Sequence, residues 1–302
     1  MSEAVSEAAS ELSYVRMHGC GNDYVFLDCF HHAIPADPPA LARFISDRHR
    51  SAGSDGLVLM LPSDVPVAVA RMRMFNADGS EGSLCGNALR CMALWLQQTG
   101  KAAGSFQIVM ANRLIAVQII SSEPALRRGV VRIGVGRPEV LQDAVGVQAC
   151  VRPIELPDVN VPGLIGQPLH VSLGNPHTVF FVKSLADLPF EQLGPRIERH
   201  SAFPNRTNVE FVQLSDVVSA NMATVRVWER GSGETQACGS GACAVAVAAV
   251  FVGHLQDTDA IQVQMAGGLL RVLLGADLQL ELEGPAEECC RGTILWPRDS
   301  GV

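Results

Sequence analysis

The sequence has no run approaching the roughly 18 consecutive apolar residues of a membrane-crossing helix. Its longest near-uniform stretch, Ala242 to Val252, reads instead as a buried helix. There is no basic leader followed by an apolar segment. The opening MSEAVSEAASEL is acidic, so no secretory signal and a cytoplasmic setting are expected. No stripe of Lys or Arg is present, and 23 basic against 31 acidic residues give a net charge of −8, which argues against nucleic acid or an anionic membrane as a partner. The nine cysteines lack zinc spacing: Cys85 and Cys91 are six apart, Cys238 and Cys243 five apart, and Cys289 and Cys290 adjacent. Their odd number in a long chain also speaks against a disulfide scaffold, and Cys29, Cys91, Cys150 and Cys243 read as small buried hydrophobes. No phosphate-loop string G-x-x-x-x-G-K-[ST] occurs. Gly231-Ser232-Gly233 opens like a dinucleotide fingerprint, but Gln236 stands where its third glycine belongs. Metal, nucleotide and membrane functions are thus set aside.

The 302 residues are 48% hydrophobic and 18% charged, the composition of a folded globular chain long enough for two domains. An internal repeat divides them. NADGSEGSLCGNALRCMA (76–93) and ERGSGETQACGSGACAVA (229–246) align when Cys85 is laid on Cys238, an offset of 153 residues. At that offset Asn76 meets Glu229, Gly86 meets Gly239, and Gly21-Asn22 falls on Gly174-Asn175. Agreement of separate features on one offset suggests two halves of common design.

Hydrophobic patterning places strands at Tyr24–Asp28, Leu57–Met60 and Val67–Asn76, with a helix from about Pro39 to Asp47. A second helix is expected over Asn87–Gln98, then strands at Phe106–Met110, Leu114–Ile120 and Val130–Val135. In the second half strands are expected near His170–Leu173, Thr178–Val182, Val209–Leu214 and Ala223–Glu229. A helix from Gly239 to about Val252 precedes strands at Ile261–Met265, Leu269–Leu274 and Leu278–Leu282. Because that helix is apolar nearly all round, it is expected to be enclosed by sheet. A linker is expected near Gly136 to Asp143.

In each half a polar, Gly-rich loop runs into Cys-Gly at a helix start. The first N–H groups of a helix have no intrahelical partner and carry the positive end of its dipole. A cysteine there is expected to have a lowered pKa, and the same N–H groups can hold a carboxylate. Two such cysteines, one per half, suit inversion at an sp3 carbon: one thiolate removes a proton and a thiol delivers another to the opposite face. The substrate class suggested is an amino acid epimerised without pyridoxal phosphate, and no cofactor is expected.

At these residues the chain resembles the diaminopimelate epimerase family. The resemblance is carried by MHGCGNDY (17–24), FNADGSEGSLCGNALRC (75–91), GNPH (174–177) and ERGSGETQACGSGACA (229–244), and extends from about residue 14 to the C-terminus. It implies an α/β (α+β) fold of two pseudo-symmetric domains, each a mixed sheet wrapped around a central helix. It also implies cofactor-independent interconversion of LL- and meso-2,6-diaminopimelate on the route to lysine and peptidoglycan, and a homodimer. The domains would be 14–137, joined by 287–302, and 138–286, after a flexible extension over 1–13. Cys85 and Cys238 would be the acid/base pair. Gly86, Asn87, Gly239 and Ser240 would hold the reacting carboxylate, and Asn22, Asn76, Asn175 and Asn208 would orient the substrate. Glu229 and Arg230 would meet the distal ammonium and carboxylate, and His177 would be auxiliary. His18 is taken as structural. The chain departs from the family pattern at Arg16 for Lys, at Ala88 for Gly, around Ala111–Leu114, and in the turn Ile133–Pro138.

Two rival readings have their own signatures. A cofactor-independent racemase of proline or histidine type shares the two-thiol logic. Proline-type sequences, however, follow the first cysteine with Gly-His, where this chain has Gly86-Asn87. A non-catalytic redox pair would join Cys85 to Cys238, which requires disulfide geometry.

Overall fold

The computed structural model describes residues 10–82, 84–141, 146–215, 221–256 and 260–296. Residues 1–9 of the expected extension and 142–143 of the expected linker lie outside these. The order of elements is β1 (Ser10–Gly19), β2 (Asn22–Asp28), α1 (Pro38–Ser46), β3 (Gly56–Pro62), β4 (Ala70–Asn76), α2 (Gly86–Gln98), β5 (Ser105–Met110), β6 (Arg113–Glu123) and β7 (Arg128–Gly136). Then come β8 (Val151–Pro153), β9 (Leu169–Ser172), β10 (Pro176–Phe181), α3 (Phe190–Glu198), β11 (Asn208–Leu214), β12 (Met222–Glu229), β13 (Gly233–Glu234), α4 (Gly239–Phe251), β14 (Ile261–Met265), β15 (Gly268–Leu274) and β16 (Leu280–Trp296). The fold is α+β: few helices, and a strand-rich sheet.

The chain forms two compact units. Unit 1 comprises residues 1–19, 23–131 and 286–302; unit 2 comprises 20–22 and 132–285. In unit 1 the strands follow the order β1-β2-β3-β4-β5-β6-β7, and β16, next to β7, also pairs with β1, so the strand path returns on itself. In unit 2 the order is β16-β15-β14-β12-β11-β10-β9-β8. The two units repeat one wiring. β2 lies parallel to β3 as β10 does to β11, and β4 lies parallel to β5 as β12 does to β14. Helices α2 and α4 each have 13 residues, and both their ends keep the offset of 153 that relates Cys85 to Cys238.

Each unit encloses one helix in its sheet. Residues 87–96 of α2 and 241–249 of α4 are all buried. An Ala/Val-rich segment with no polar face has no side to offer water, and each fully buried Val contributes about 1.5–3 kcal/mol. A second helix covers the other face. In unit 1, α1 begins at Asp37, whose side chain accepts from the Ala40 N–H at 2.9 Å, with Pro38 and Pro39 in its first turn. Its Leu41 and Ile45 pack on Val25, Leu57 and Leu59 with Trp296. In unit 2, α3 sets Phe190 edge-on against Phe211, with ring centroids 5.7 Å apart.

Three features differ from the sequence expectations. Residues 10–13, expected to be flexible, lie in β1 and pair with 293–296 of β16. The strand expected at Leu278–Leu282 is 17 residues long. Helix α3 was not expected; Pro189 precedes it and Pro195 lies inside it, and both read as breakers. Cys29, Cys91, Cys150 and Cys243 are buried as expected. Among the described residues no helix is long and apolar enough to cross a membrane.

Candidate active site

Unit 1 presents Cys85 at the N-cap of α2. Its backbone is extended (φ −138°, ψ 103°), and its sulfur accepts from the Ala88 N–H at 3.5 Å. The same sulfur lies 3.2 Å from the hydroxyl of Tyr24 on β2, a residue the sequence reading did not single out. Gly86 and Asn87 form the first turn of the helix. Asn87 is buried, and its side-chain oxygen accepts from Arg90 at 2.8 Å, so its side chain is held by the helix interior. Asn76 ends β4, exposed, and donates to Ser80 at 2.9 Å across a turn made by Asp78 and Gly79. Unit 1 therefore brings together Cys85, Gly86 and Asn87 on one helix start and sets Asn76 at the end of a strand.

Unit 2 assembles more. Cys238 caps α4 in the same way (φ −119°, ψ 112°): its sulfur accepts from the Gly241 N–H at 3.3 Å and lies 3.5 Å from the Ser240 hydroxyl. Its own N–H donates to the Met265 sulfur at 3.3 Å. Asn175 donates to Ser240 at 3.3 Å and faces Nε2 of His177 at 3.2 Å. Asn208 donates to the Pro176 carbonyl and accepts from the Arg230 N–H at 2.8 Å, which ties β11 to the turn after β12. Asn22 also belongs to this unit. The repeat pairs it with Asn175 half a chain away, yet it donates to the Ala237 carbonyl at 2.7 Å. The loop that carries it is tightly seated: a Cβ on Gly267 would meet the Cys20 carbonyl oxygen at 1.8 Å. Gly21 and Gly174, related by the offset, both adopt positive φ, 83° and 88°.

Glu229 and Arg230, adjacent in sequence, turn to different surroundings. The Glu229 carboxyl accepts from the Thr235 hydroxyl at 2.5 Å and is hydrogen-bonded at the Cys238 thiol, whereas the Arg230 guanidinium is exposed and donates to the Asn205 carbonyl at 3.1 Å. Burial raises the pKa of Glu229 above the usual carboxylate range, against the Thr235 hydrogen bond. One sequence expectation changes here: the lowered thiol pKa expected at a helix start is reversed at Cys238. Burial pushes it well above the ordinary value, the charges of Glu229 and Glu210 add to this, and the Ser240 and Gly241 donors oppose it. Desolvation outweighs the helix N-terminus.

Tyr24, Thr235, Met265 and Glu210 are the neighbours of the cysteines that the sequence reading missed. Only Glu210 left a signal: a lone carboxylate between Val209 and Phe211 in a strand whose residues 208–212 are all buried. Among the described residues, no group of three or more His, Cys, Asp or Glu is arranged to hold a metal ion.

The profile of the family described as diaminopimelate epimerase matches residues 14–139 and 169–287. A diaminopimelate epimerase of Desulforudis audaxviator is 41% identical over 283 residues, covering 93% of this chain and 98% of that protein. That of Geobacillus thermodenitrificans is 39% identical over 288 residues, covering 94% and 96%. Among solved structures, a hydroxyproline epimerase of Agrobacterium vitis shares the fold, with a TM-score of 0.65 at 14% identity over 96% of this chain and 94% of that one. With its family profile, close relatives and repeated Cys-Gly helix starts in agreement, the chain belongs to the diaminopimelate epimerase family.

Proposed function

We propose that the protein is a cofactor-independent epimerase that interconverts LL- and meso-2,6-diaminopimelate, with Cys85 and Cys238 as its two acid/base groups. The observation that carries this reading is the matched pair of half-sites: each unit sets one cysteine, in extended backbone, at the head of an enclosed 13-residue helix, with a backbone N–H on its sulfur. Relatives named for this activity cover nearly all of the chain.

In one direction a thiolate takes the α-proton and becomes a thiol. The electron pair left on the α-carbon is spread into the adjacent carboxylate, and the other thiol gives its proton to the opposite face and becomes a thiolate. Net, one proton has crossed the carbon and the two sulfurs have exchanged states, so the reverse reaction starts from the product form. Backbone N–H groups at Gly86, Asn87, Gly239 and Ser240 are the donors for the reacting carboxylate, whose charge grows as the proton leaves. Asn22, Asn76, Asn175 and Asn208 orient the substrate. The exposed Arg230 guanidinium serves the distal carboxylate, and Glu229, beside the Cys238 thiol, serves an ammonium group and the thiol together. The high pKa of Cys238 fits it to rest as the proton donor. In this role the protein is a cytoplasmic homodimer supplying precursors of lysine and peptidoglycan.

The test is α-proton exchange. Reduced protein incubated with LL-diaminopimelate in deuterium oxide is expected to yield meso product carrying deuterium at the inverted carbon. Cys85→Ala and Cys238→Ala are each expected to lower turnover by at least a thousandfold without loss of fold by circular dichroism. Full activity in either variant would sink the two-base assignment. No exchange by folded wild-type protein would remove diaminopimelate as substrate and turn attention to proline-like and histidine-like amino acids.

A further inference from the structure

Glu198 is the last residue of α3, and its side chain is only 3% exposed. Nothing local favours a carboxylate there. A negative charge in the last turn opposes the helix dipole, and taking it out of water is costly unless donors replace the water. Donors do replace it, and they come from two other segments of unit 2. Oε1 accepts from the Gly231 N–H at 2.9 Å and from the Arg206 guanidinium at 3.4 Å. Oε2 accepts from the Trp228 indole N–H at 3.1 Å and lies 3.8 Å from Nε of Arg199. The Glu198 backbone carbonyl adds a bond from the Thr207 N–H at 3.3 Å.

The two segments, 205–208 and 228–231, are the ones that hold Arg230. Its backbone N–H donates to the Asn208 side-chain oxygen at 2.8 Å, and its guanidinium donates to the Asn205 carbonyl at 3.1 Å. Gly231, next in the chain, is exposed, has positive φ (83°), and has nothing within 4 Å of where a Cβ would stand. Packing therefore does not fix this turn. Its hold is polar: the Ser232 N–H closes it onto the Glu229 carbonyl, and Glu198 ties it to α3. We propose that Glu198 is a positioning residue for Arg230: its buried carboxylate clamps the 228–231 turn to the 205–208 segment and so fixes where the guanidinium meets the distal carboxylate of the substrate. The inference deepens the diaminopimelate reading and rests on it for the identity of the ligand.

Glu198→Gln keeps the shape of the side chain and breaks the clamp. An amide has one oxygen, so it can accept from Gly231 or from Trp228 but not from both, and its NH2 end then faces a donor. Arg206 also loses its charged partner. The kinetic signature separates two roles. A residue that only supported the fold would lower the amount of active enzyme, and so the apparent kcat, with KM unchanged. A residue acting through Arg230 weakens a contact to a part of the substrate that does not react. That contact is made alike in the ground and transition states, so its loss raises KM and leaves kcat nearly as it was.

The experiment measures kcat and KM for LL-diaminopimelate in Glu198→Gln, together with hydrogen exchange of the backbone amides at 229–232, which needs no substrate. KM is expected to rise about tenfold, the loss of a hydrogen-bonded charged group, with kcat nearly unchanged. Exchange of the Gly231 N–H is expected to quicken by about tenfold or more, while α4 keeps its protection. Combined with Arg230→Ala, Glu198→Gln is expected to raise KM no further than Arg230→Ala does alone, because one residue acts through the other. An unchanged KM in Glu198→Gln, or a further rise in the double variant, would overturn the proposal. Should Glu198→Gln fail to fold, the wild-type Gly231 amide decides: protection is expected despite its exposed position, and exchange at the rate of an open loop would overturn the clamp. Should folded wild-type protein leave diaminopimelate unchanged, the substrate reading falls, and Gly231 exchange alone tests the clamp: equal protection in wild type and Glu198→Gln would overturn it.

Discussion

Cys29 follows β2 directly, 8% exposed, with the Asp28 carboxylate as its chain neighbour. Burial, and then the Asp28 charge, push its thiol from 9.0 up to about 11. A folded pKa above the unfolded one means that the native state holds the proton longer. The stabilisation is complete below pH 9 and is lost as pH rises through about 11. Cys29→Ala is therefore expected to fall less steeply in urea-unfolding free energy between pH 9 and pH 11 than wild type. An unchanged slope would place the alkaline sensitivity elsewhere, for instance on Cys150, whose thiol burial also raises. The same balance of burial against local donors decides Cys238, where the enclosing sheet and two carboxylates win over the helix start.

The most demanding local fit belongs to a loop. Cys20 has positive φ (53°), and its carbonyl oxygen occupies the space a Cβ on Gly267 would need. Both contacting groups are backbone, so neither can rotate away. Gly267→Ala is expected to lower stability by about 1–3 kcal/mol, read as a reduced urea midpoint, and to impair turnover by displacing Asn22 from the Ala237 carbonyl. An unchanged midpoint would mean that the loop is free to move. Elements built on local pattern were largely legible: α2, α4 and β14 fall within one residue of the patterning. Helix α3 was hidden because its local residues argue against it. Gly194 in its middle is required by packing, since a Cβ there would lie 2.5 Å from the Trp228 ring. Pattern alone cannot show a ring that arrives from β12.

Unit 1 is closed by its two ends. Residues 10–18 of β1 pair antiparallel with residues 287–296 of β16, and Trp296 packs against Phe44 with ring centroids 5.1 Å apart. Glu288, within the pairing, is bonded by Arg127 and by Arg291 at 2.8 Å. A chain ending at Pro285 removes the partner of β1 and the Trp296 contact to α1 at once. It is expected to lose amide-exchange protection over residues 10–18 and 38–46 while retaining it in α4. Protection kept in β1 would show that the closure is dispensable.

The repeat at offset 153, the two Cys-Gly helix starts, the enclosed α4 and the buried structural cysteines follow from periodicity and spacing, because each is a local pattern repeated along the chain. Which side chains surround each sulfur does not follow. Glu210 reaches the Cys238 network through parallel strand pairing, Asn22 joins unit 2 from 215 residues away, and Glu229 and Arg230, adjacent in sequence, turn to different surroundings. The direction of the Cys238 shift was decided by tertiary structure for the same reason. A sequence shows that a thiol stands at a helix N-terminus, but only the packed fold shows how much water has been taken from it and which charges have replaced that water.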